Sequence, residues 1–201
     1  MATVSSVPAD SPSMLTVTPR LLTAADVAAM PEQLPTGPVS YELHHGRLVP
    51  MSPPGADHGS YQLRIGSALM YQGEAKGLGK AYVEVGVILA RNPDHVFGPD
   101  AAFVAKRSLP STKSPEGFLE KVPELVVEVR SKNDTAREIA VKVSDYLQAG
   151  ATLVWVADPS NYSVIEHRSG KPPKTYLMSD MLTCDDVIPG FRLPLAELYQ
   201  Q

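Results

Sequence analysis

Two carboxylates stand where an apolar core does not tolerate an unpaired charge. Asp100 opens a strand-like run, and Glu128 lies inside the otherwise apolar segment 125–129. An ionised glutamate in such a run has to meet a cation, a metal ion or good hydrogen-bond donors, because burying it bare costs several kcal/mol or forces it to become neutral. The pair is therefore a candidate functional site.

Lys142 adds a positive charge that can serve the same site. It lies on the helix predicted to follow Glu128, on the flank of the apolar stripe that contains Ile139 and Tyr146, and it can lean toward the sheet. Two carboxylates can hold a hard cation such as Mg²⁺ while leaving positions for water and a phosphate, and an ammonium can orient that water or offset charge developing on phosphorus. The pattern of Asp100, Glu128 and Lys142 indicates metal-assisted hydrolysis of a phosphate ester.

Each of these residues also has an ordinary structural interpretation. Strand alternation puts Glu128 and Arg130 on one face, which favours an ion pair at the end of a strand. Asp100 follows a Gly-Pro pair, a turn in which Asp accepts backbone donors. Glu138 lies four residues before Lys142, at the spacing of an exposed helical salt bridge. The residues alone leave these alternatives open.

The order of the predicted elements indicates one layered α/β (α+β) domain. Capping signals and hydrophobic periodicity predict helices at 23–30, 58–76 and 135–150. The segment 41–49 predicts a hairpin that turns at His45-Gly46. Further strand signals lie at 80–89, 100–105, 124–130, 154–156, 162–166 and 175–178, and a last helical turn is predicted at 195–199. The one-sided pattern of 80–89 is typical of an outer strand. The continuous apolar run at 124–130 is typical of a strand covered on both faces. We expect a mixed sheet flanked by helices, with an added N-terminal hairpin and C-terminal strands.

Composition sets the broad class of the protein. The 201 residues, 43% of them hydrophobic, predict one domain at 21–201 and a flexible Ser-, Thr- and Pro-containing tail at 1–20. The net charge of −4 argues against a strongly basic nucleic-acid coat but leaves room for a local basic patch. A single cysteine, no leader-like start and no apolar stretch near the ~20 residues of a membrane span predict a soluble, cytoplasmic protein.

Five short motifs follow one another in a characteristic order. They are Tyr41-Glu42-Leu43 with Gly46, Pro99-Asp100, the segment 123–131, Lys142 with the segment 146–150, and the segment 154–156 with Asp158-Pro159. In this order, over about residues 22–198, the chain resembles the bacterial restriction-endonuclease-like domains, a branch of the PD-(D/E)XK nuclease superfamily. Each motif is short, and their order and strand-helix context carry the resemblance.

The resemblance implies a restriction-endonuclease-like fold in which Asp100 and Glu128 bind a divalent metal, Mg²⁺ or Mn²⁺. It adds Glu42 as a further acidic metal ligand, although alternation alone predicts an exposed hairpin glutamate there. The chain departs from the superfamily at Arg130, which stands where the superfamily's lysine should lie, and arginine stays protonated and cannot act as a base. In this branch the lysine comes from the following helix, which Lys142 matches.

The resemblance further implies a metal-dependent nuclease that hydrolyses phosphodiester bonds in nucleic acid, with DNA as the expected substrate. Asp100, Glu128 and Lys142 are its expected catalytic residues. A homodimer is expected by analogy, because cutting two strands favours two sites. Two alternatives stay open: a nuclease-like fold that survives as a non-catalytic binding or assembly module, and hydrolysis of a phosphate ester other than nucleic acid.

The remaining candidates for chemistry have ordinary interpretations. His44 and His45 are neighbours on a predicted strand, so their side chains face opposite ways, and surface or turn positions are expected. His58 lies near a helix start, where capping or packing is expected. Glu84 is expected to face solvent, and Cys184 has no base partner in view that would make it a nucleophile.

Overall fold

The computed structural model describes residues 20–51, 53–111, 114 and 116–200. The tail predicted at 1–20 lies outside the described residues except for Arg20. Within the described residues the helices are α1 (Ala24–Ala28), α2 (Ala56–Gln72), α3 (Ala136–Gln148) and α4 (Leu195–Leu198). The strands are β1 (Gln33–Leu34), β2 (Gly37–Pro38), β3 (Ser40–His44), β4 (Arg47–Met51), β5 (Gly79–Val83), β6 (Val87–Ala90), β7 (His95–Phe97), β8 (Ala101–Ala105), β9 (Leu125–Val129), β10 (Leu153–Asp158), β11 (Ser163–His167), β12 (Lys174–Tyr176), β13 (Met181–Leu182) and β14 (Leu193–Pro194).

A six-stranded mixed sheet forms the centre of the domain. Its strand order is β12-β11-β10-β9-β8-β5. The pair β9 and β10 is parallel and the other neighbours are antiparallel. Helix α3 connects β9 to β10, as a parallel pair requires a crossover connection. The predicted mixed sheet flanked by helices is therefore confirmed.

The two faces of this sheet carry separate cores. On one face, Leu125 and Val127 of β9 pack with Ile65 of α2 and with the C-terminal segment around Phe191. On the other face, Val126 packs with residues of α3 and of β7. The alternation predicted for this strand is confirmed, and it places Glu128 on the face that α3 covers.

A smaller sheet, with strand order β4-β3-β7-β6, lies on the α3 side and was only partly predicted. The hairpin of β3 and β4 turns at His45-Gly46 as expected, and both turn residues have positive φ, 50° and 79°. The prediction of a single strand at 80–89 is wrong. Glu84 takes the left-handed φ of 46°, and the chain there leaves β5 in the large sheet and enters β6 in the small one.

Helix α3 begins where its capping signal predicts. The Thr135 side chain accepts the Glu138 backbone N–H, and the Glu138 side chain accepts the Thr135 backbone N–H. Residue Gly150 follows the helix with φ 108°. In the described part of the chain, no helix combines the length and the hydrophobicity needed to cross a bilayer.

Candidate active site

The ammonium of Lys142 bridges two buried carboxylates. Its Nζ lies 2.8 Å from Oε1 of Glu42 and 3.3 Å from Oε2 of Glu128. The two glutamates are only 3% and 6% exposed. Strand β3, strand β9 and helix α3 therefore each bring one charged side chain to the same point. The helical salt bridge considered for Lys142 and Glu138 does not form, because Glu138 caps its own helix.

A hydrogen bond fixes the position of Glu128, but the surroundings disfavour its ionised form. The hydroxyl of Tyr146 donates a hydrogen bond to Oε1 of Glu128 at 2.8 Å. Burial, opposed by the charge of Lys142 and reinforced by the negative charges of Asp100 and Glu42, raises the pKa of Glu128 to about 7. Near neutral pH, Glu128 is therefore present in both its protonated and its ionised form. One ammonium does not balance the negative charge gathered at the site.

Of the three acidic residues Glu42, Asp100 and Glu128, Glu42 has the most hydrogen-bond and ion-pair partners. Its Oε2 lies 3.0 Å from Nε2 of His44, and its Oε1 also accepts the backbone N–H of Gly98 at 3.3 Å. Burial acts to raise the pKa of Glu42, but the hydrogen bond with His44 and the charge of Lys142 outweigh it and lower the pKa. The exposed position that alternation predicted for Glu42 is wrong, because α3 covers this face of β3.

His44 belongs to the site although the sequence placed it on the surface. A usable signal was present, since Glu42 and His44 are two residues apart on a strand and so share a face. His45 occupies the exposed turn that was expected. Glu84 is exposed, as predicted, and accepts a hydrogen bond from Gln62 at 3.0 Å.

Asp100 contacts the backbone of the residue that follows Glu128. Its Oδ2 accepts the N–H of Val129, the residue after Glu128, at 2.6 Å. The same oxygen lies 3.4 Å from Nε2 of His58, and the hydrogen bond with Asp100 raises the pKa of His58 against the effect of burial. The expectation that Asp100 accepts a backbone donor is confirmed, with the donor on the neighbouring strand rather than in its own turn. His58 packs against Asp100 from the first turn of α2.

Arg130 points to a different set of partners. One guanidinium nitrogen lies 2.8 Å from Oδ2 of Asp158 at the end of β10, and another donates to the carbonyl of Asp134 at 3.4 Å. The ion pair considered for Glu128 and Arg130 is therefore absent. The positive charge at the carboxylates comes from Lys142.

The donor chemistry of the site suits a hard divalent cation. Carboxylate oxygens are the ligands that Mg²⁺ prefers; Glu42 and Glu128 supply two of them beside the Lys142 ammonium, and Asp100 supplies a third next to the backbone that follows Glu128. A divalent ion would offset the negative charges of Asp100 and Glu42, which add to the effect of burial in raising the pKa of Glu128. Within the described residues, the ligand atoms of these three do not all lie within 4.8 Å of one another, so binding by all three requires side-chain movement.

Comparisons with known proteins agree with this architecture. Residues 28–196 match a protein-family model described as "Uma2: Putative restriction endonuclease". The structure is similar to the crystal structure of a putative nuclease belonging to DUF820 from Anabaena variabilis ATCC 29413, with a TM-score of 0.74 and 16% sequence identity over 89% of this chain and 97% of that chain. At this identity the likeness concerns the fold, and it confirms the predicted restriction-endonuclease-like architecture. The search of the curated proteins found no match.

Proposed function

The chain belongs to the Uma2 family of restriction-endonuclease-like proteins, and we propose that it is a divalent-metal-dependent nuclease that hydrolyses phosphodiester bonds in DNA. Its resident metal would be Mg²⁺ or Mn²⁺, and its catalytic residues Asp100, Glu128 and Lys142. The structural neighbour is itself described as a putative nuclease. Nuclease-like function follows from the family, whereas the metal and the substrate are our proposal.

One observation carries the proposal. A buried lysine contacts two buried glutamates that come from separate elements, and an aspartate lies one peptide away. A purely structural ion pair needs one carboxylate for each ammonium, since each further buried negative charge costs free energy. The excess of acid at Glu42, Asp100 and Glu128 is the charge pattern that a metal-binding site requires.

Asp100 and Glu128 would hold the metal with help from Glu42. A bound Mg²⁺ or Mn²⁺ supplies polarisation of the phosphate and an activated water. The Tyr146 hydroxyl orients Glu128, and the Val129 N–H together with His58 orients Asp100, so the two carboxylates are positioned before any ligand arrives. Such positioning reduces the reorganisation that the reaction requires.

Lys142 acts through its charge in this proposal. The negative charges of Glu128 and Glu42 outweigh burial and raise the pKa of Lys142, so the ammonium keeps its protons at any physiological pH. It therefore serves as a hydrogen-bond donor that orients the attacking water or offsets charge on the phosphate. A general-base role for Lys142 would contradict this electrostatic environment.

The test is a cleavage assay on duplex and single-stranded DNA with Mg²⁺, Mn²⁺ or chelator. We expect metal-dependent cleavage by the natural chain, and a loss of at least about a hundredfold in Asp100→Asn, Glu128→Gln and Lys142→Met. Glu120→Gln, at a glutamate that is 60% exposed, is the matched control and should keep full activity. Activity of the natural chain that is no higher than that of the Asp100→Asn and Glu128→Gln variants would reject the enzymatic proposal.

The non-catalytic binding module has one observation in its favour. The contacts of Lys142 with Glu42 and Glu128 satisfy much of the buried charge without a metal. Calorimetric titration with Mn²⁺ distinguishes the two functions, because a nuclease site should bind the ion and lose it in Glu128→Gln, while a scaffold should bind none. Binding without DNA cleavage would favour another phosphate ester as substrate, to be found by substrate screening. Light scattering tests the predicted homodimer.

A further inference from the structure

A second group of ligand-type side chains lies beside the candidate active site. It consists of His45 in the β3–β4 turn, His95 on β7 and Asp145 on α3. Each offers one ligand atom, and the three atoms lie within 4.8 Å of one another. In the part of the chain that the structure describes, this is the only such trio of His, Cys, Asp or Glu residues. The proposed nuclease chemistry uses none of the three.

One buried nitrogen of this trio has no hydrogen-bond partner. His95 is 2% exposed, and the one contact of its Nε2, 3.2 Å from Oδ2 of Asp145, lacks the alignment of a hydrogen bond. The other ring nitrogen, Nδ1, accepts the backbone N–H of His45 at 3.1 Å. Buried polar atoms nearly always have a partner, and an ion is one of the partners that such an atom takes. The unpartnered atom faces the carboxylate of Asp145.

We propose that His45, His95 and Asp145 bind a divalent transition-metal ion of the zinc class. Two imidazole nitrogens with one carboxylate oxygen suit Zn²⁺, Co²⁺ or Ni²⁺, and three protein ligands leave a further position for water. The neighbouring set of Glu42, Asp100 and Glu128 offers only oxygen and suits Mg²⁺. The two sets therefore select different metals by their ligand chemistry.

Loading this site changes the tautomer of the buried His95 and the orientation of the exposed His45 ring. Because Nδ1 of His95 accepts a hydrogen bond, the single proton of the neutral ring lies on Nε2. Metal binding at Nε2 moves that proton to Nδ1, so the ring changes tautomer without net loss of a proton, and the hydrogen bond from the His45 N–H is lost. The exposed His45 ring, now stacked on His95 with centroids 4.2 Å apart, has to turn toward the ion. His95 and Asp145 already face each other.

The ion would join elements that also build the active site. Strand β3 carries Glu42, the residue after β7 is Gly98, whose N–H holds Glu42, and α3 carries Lys142. A metal held by the β3–β4 turn, β7 and α3 would fix α3 against the small sheet and preserve the contact of Lys142 with Glu42. Only this consequence rests on the proposed nuclease function, and metal binding by the trio does not.

The experiment is a Co²⁺ titration of the tag-free, chelator-treated full chain, followed by visible absorption. We expect one Co²⁺ per chain with a band that Zn²⁺ removes. His45→Asn and Asp145→Asn should each weaken binding at least tenfold. Asparagine tolerates the left-handed φ of 50° at position 45, so the first variant keeps the turn while it removes the ligand.

Glu128→Gln separates this proposal from the nuclease proposal. It should keep the Co²⁺ band while it loses Mn²⁺ binding, and Asp145→Asn should do the reverse. A natural chain that is folded but shows no band and no heat with Zn²⁺ would overturn the proposal. So would unchanged Co²⁺ affinity in both His45→Asn and Asp145→Asn, or a band that Glu128→Gln abolishes and Asp145→Asn retains.

Discussion

Replacing Glu128 by glutamine should stabilise the metal-free protein above neutral pH. The folded state holds the pKa of Glu128 at about 7, against 4.5 for an ordinary glutamate. Between these two pH values the folded state binds more protons than the unfolded state, so stability falls as pH rises through this range. Glutamine has nearly the shape of the protonated acid and removes this penalty.

The size of the effect follows from the pKa difference. Each pKa unit corresponds to about 1.4 kcal/mol, so at pH 8 the shift of Glu128 sets an upper limit of about 3 kcal/mol. We expect Glu128→Gln to raise the free energy of unfolding by about 1–3 kcal/mol at pH 8 and by less than about 1 kcal/mol at pH 5. The side chains that face Glu128 keep partners in the variant. Lys142 still has Glu42, and the Tyr146 hydroxyl can accept from the new amide.

The measurement is urea unfolding in EDTA at both pH values. Trp155 is the only tryptophan and is fully buried, so its fluorescence reports global unfolding. Glu120→Gln, at an exposed glutamate, is the control and should change stability by less than about 0.5 kcal/mol. Adding Mn²⁺ should stabilise the natural chain and leave Glu128→Gln unchanged. If Glu128→Gln is the less stable protein at pH 8 in EDTA, Glu128 is a stabilising ion-pair partner and our electrostatic reasoning is refuted.

Three further outcomes follow from local contacts. Gly79→Ala should destabilise the protein by about 1–3 kcal/mol, because a Cβ there would lie 2.2 Å from the carbonyl oxygen of Val104. Gly59→Ala, in helix α2 where a Cβ would meet no atom within 4 Å, should stabilise the protein by about 0.5–1 kcal/mol. Thermal unfolding compares the two variants. Thr135→Ala should cost about 1 kcal/mol in urea unfolding through loss of the α3 cap, and an unchanged midpoint would contradict this. Burial raises the pKa of the Cys184 thiol to about 12, so a thiol reagent should label it only on unfolding, and rapid labelling of the native protein would disprove this.

Local interactions made a large part of the fold predictable. The cap of α3 joins Thr135 to Glu138, three residues away, and the β3–β4 hairpin turns within two residues. The nearly continuous apolar run at 124–130 predicted a strand covered on both faces, and all five residues of β9 are buried. Each of these features depends on neighbours in the chain, and the hydrophobic pattern records such neighbours directly.

The division of the chain between two sheets was not predictable in this way. The apolar alternation at 80–89 continues past Glu84, yet the chain changes sheet there, because β6 pairs with β7 and β5 pairs with β8. The pattern of hydrophobic residues is the same for either partner. Strand β7 has only three residues, too few for a periodic signal.

The partners of the charged residues were decided by tertiary structure. Asp100, Glu128 and Lys142 could be selected from their types and order, and Glu42 only through the family resemblance. Lys142 had an acidic neighbour four residues away, but it contacts Glu42, a hundred residues away in the chain, and Glu128. A buried charge gains more from a desolvated partner than from a solvated one, since the attraction is stronger in a low dielectric. The sequence by itself determined which groups are present, and only packing of α3 over β3 and β9 determined which of them share a site.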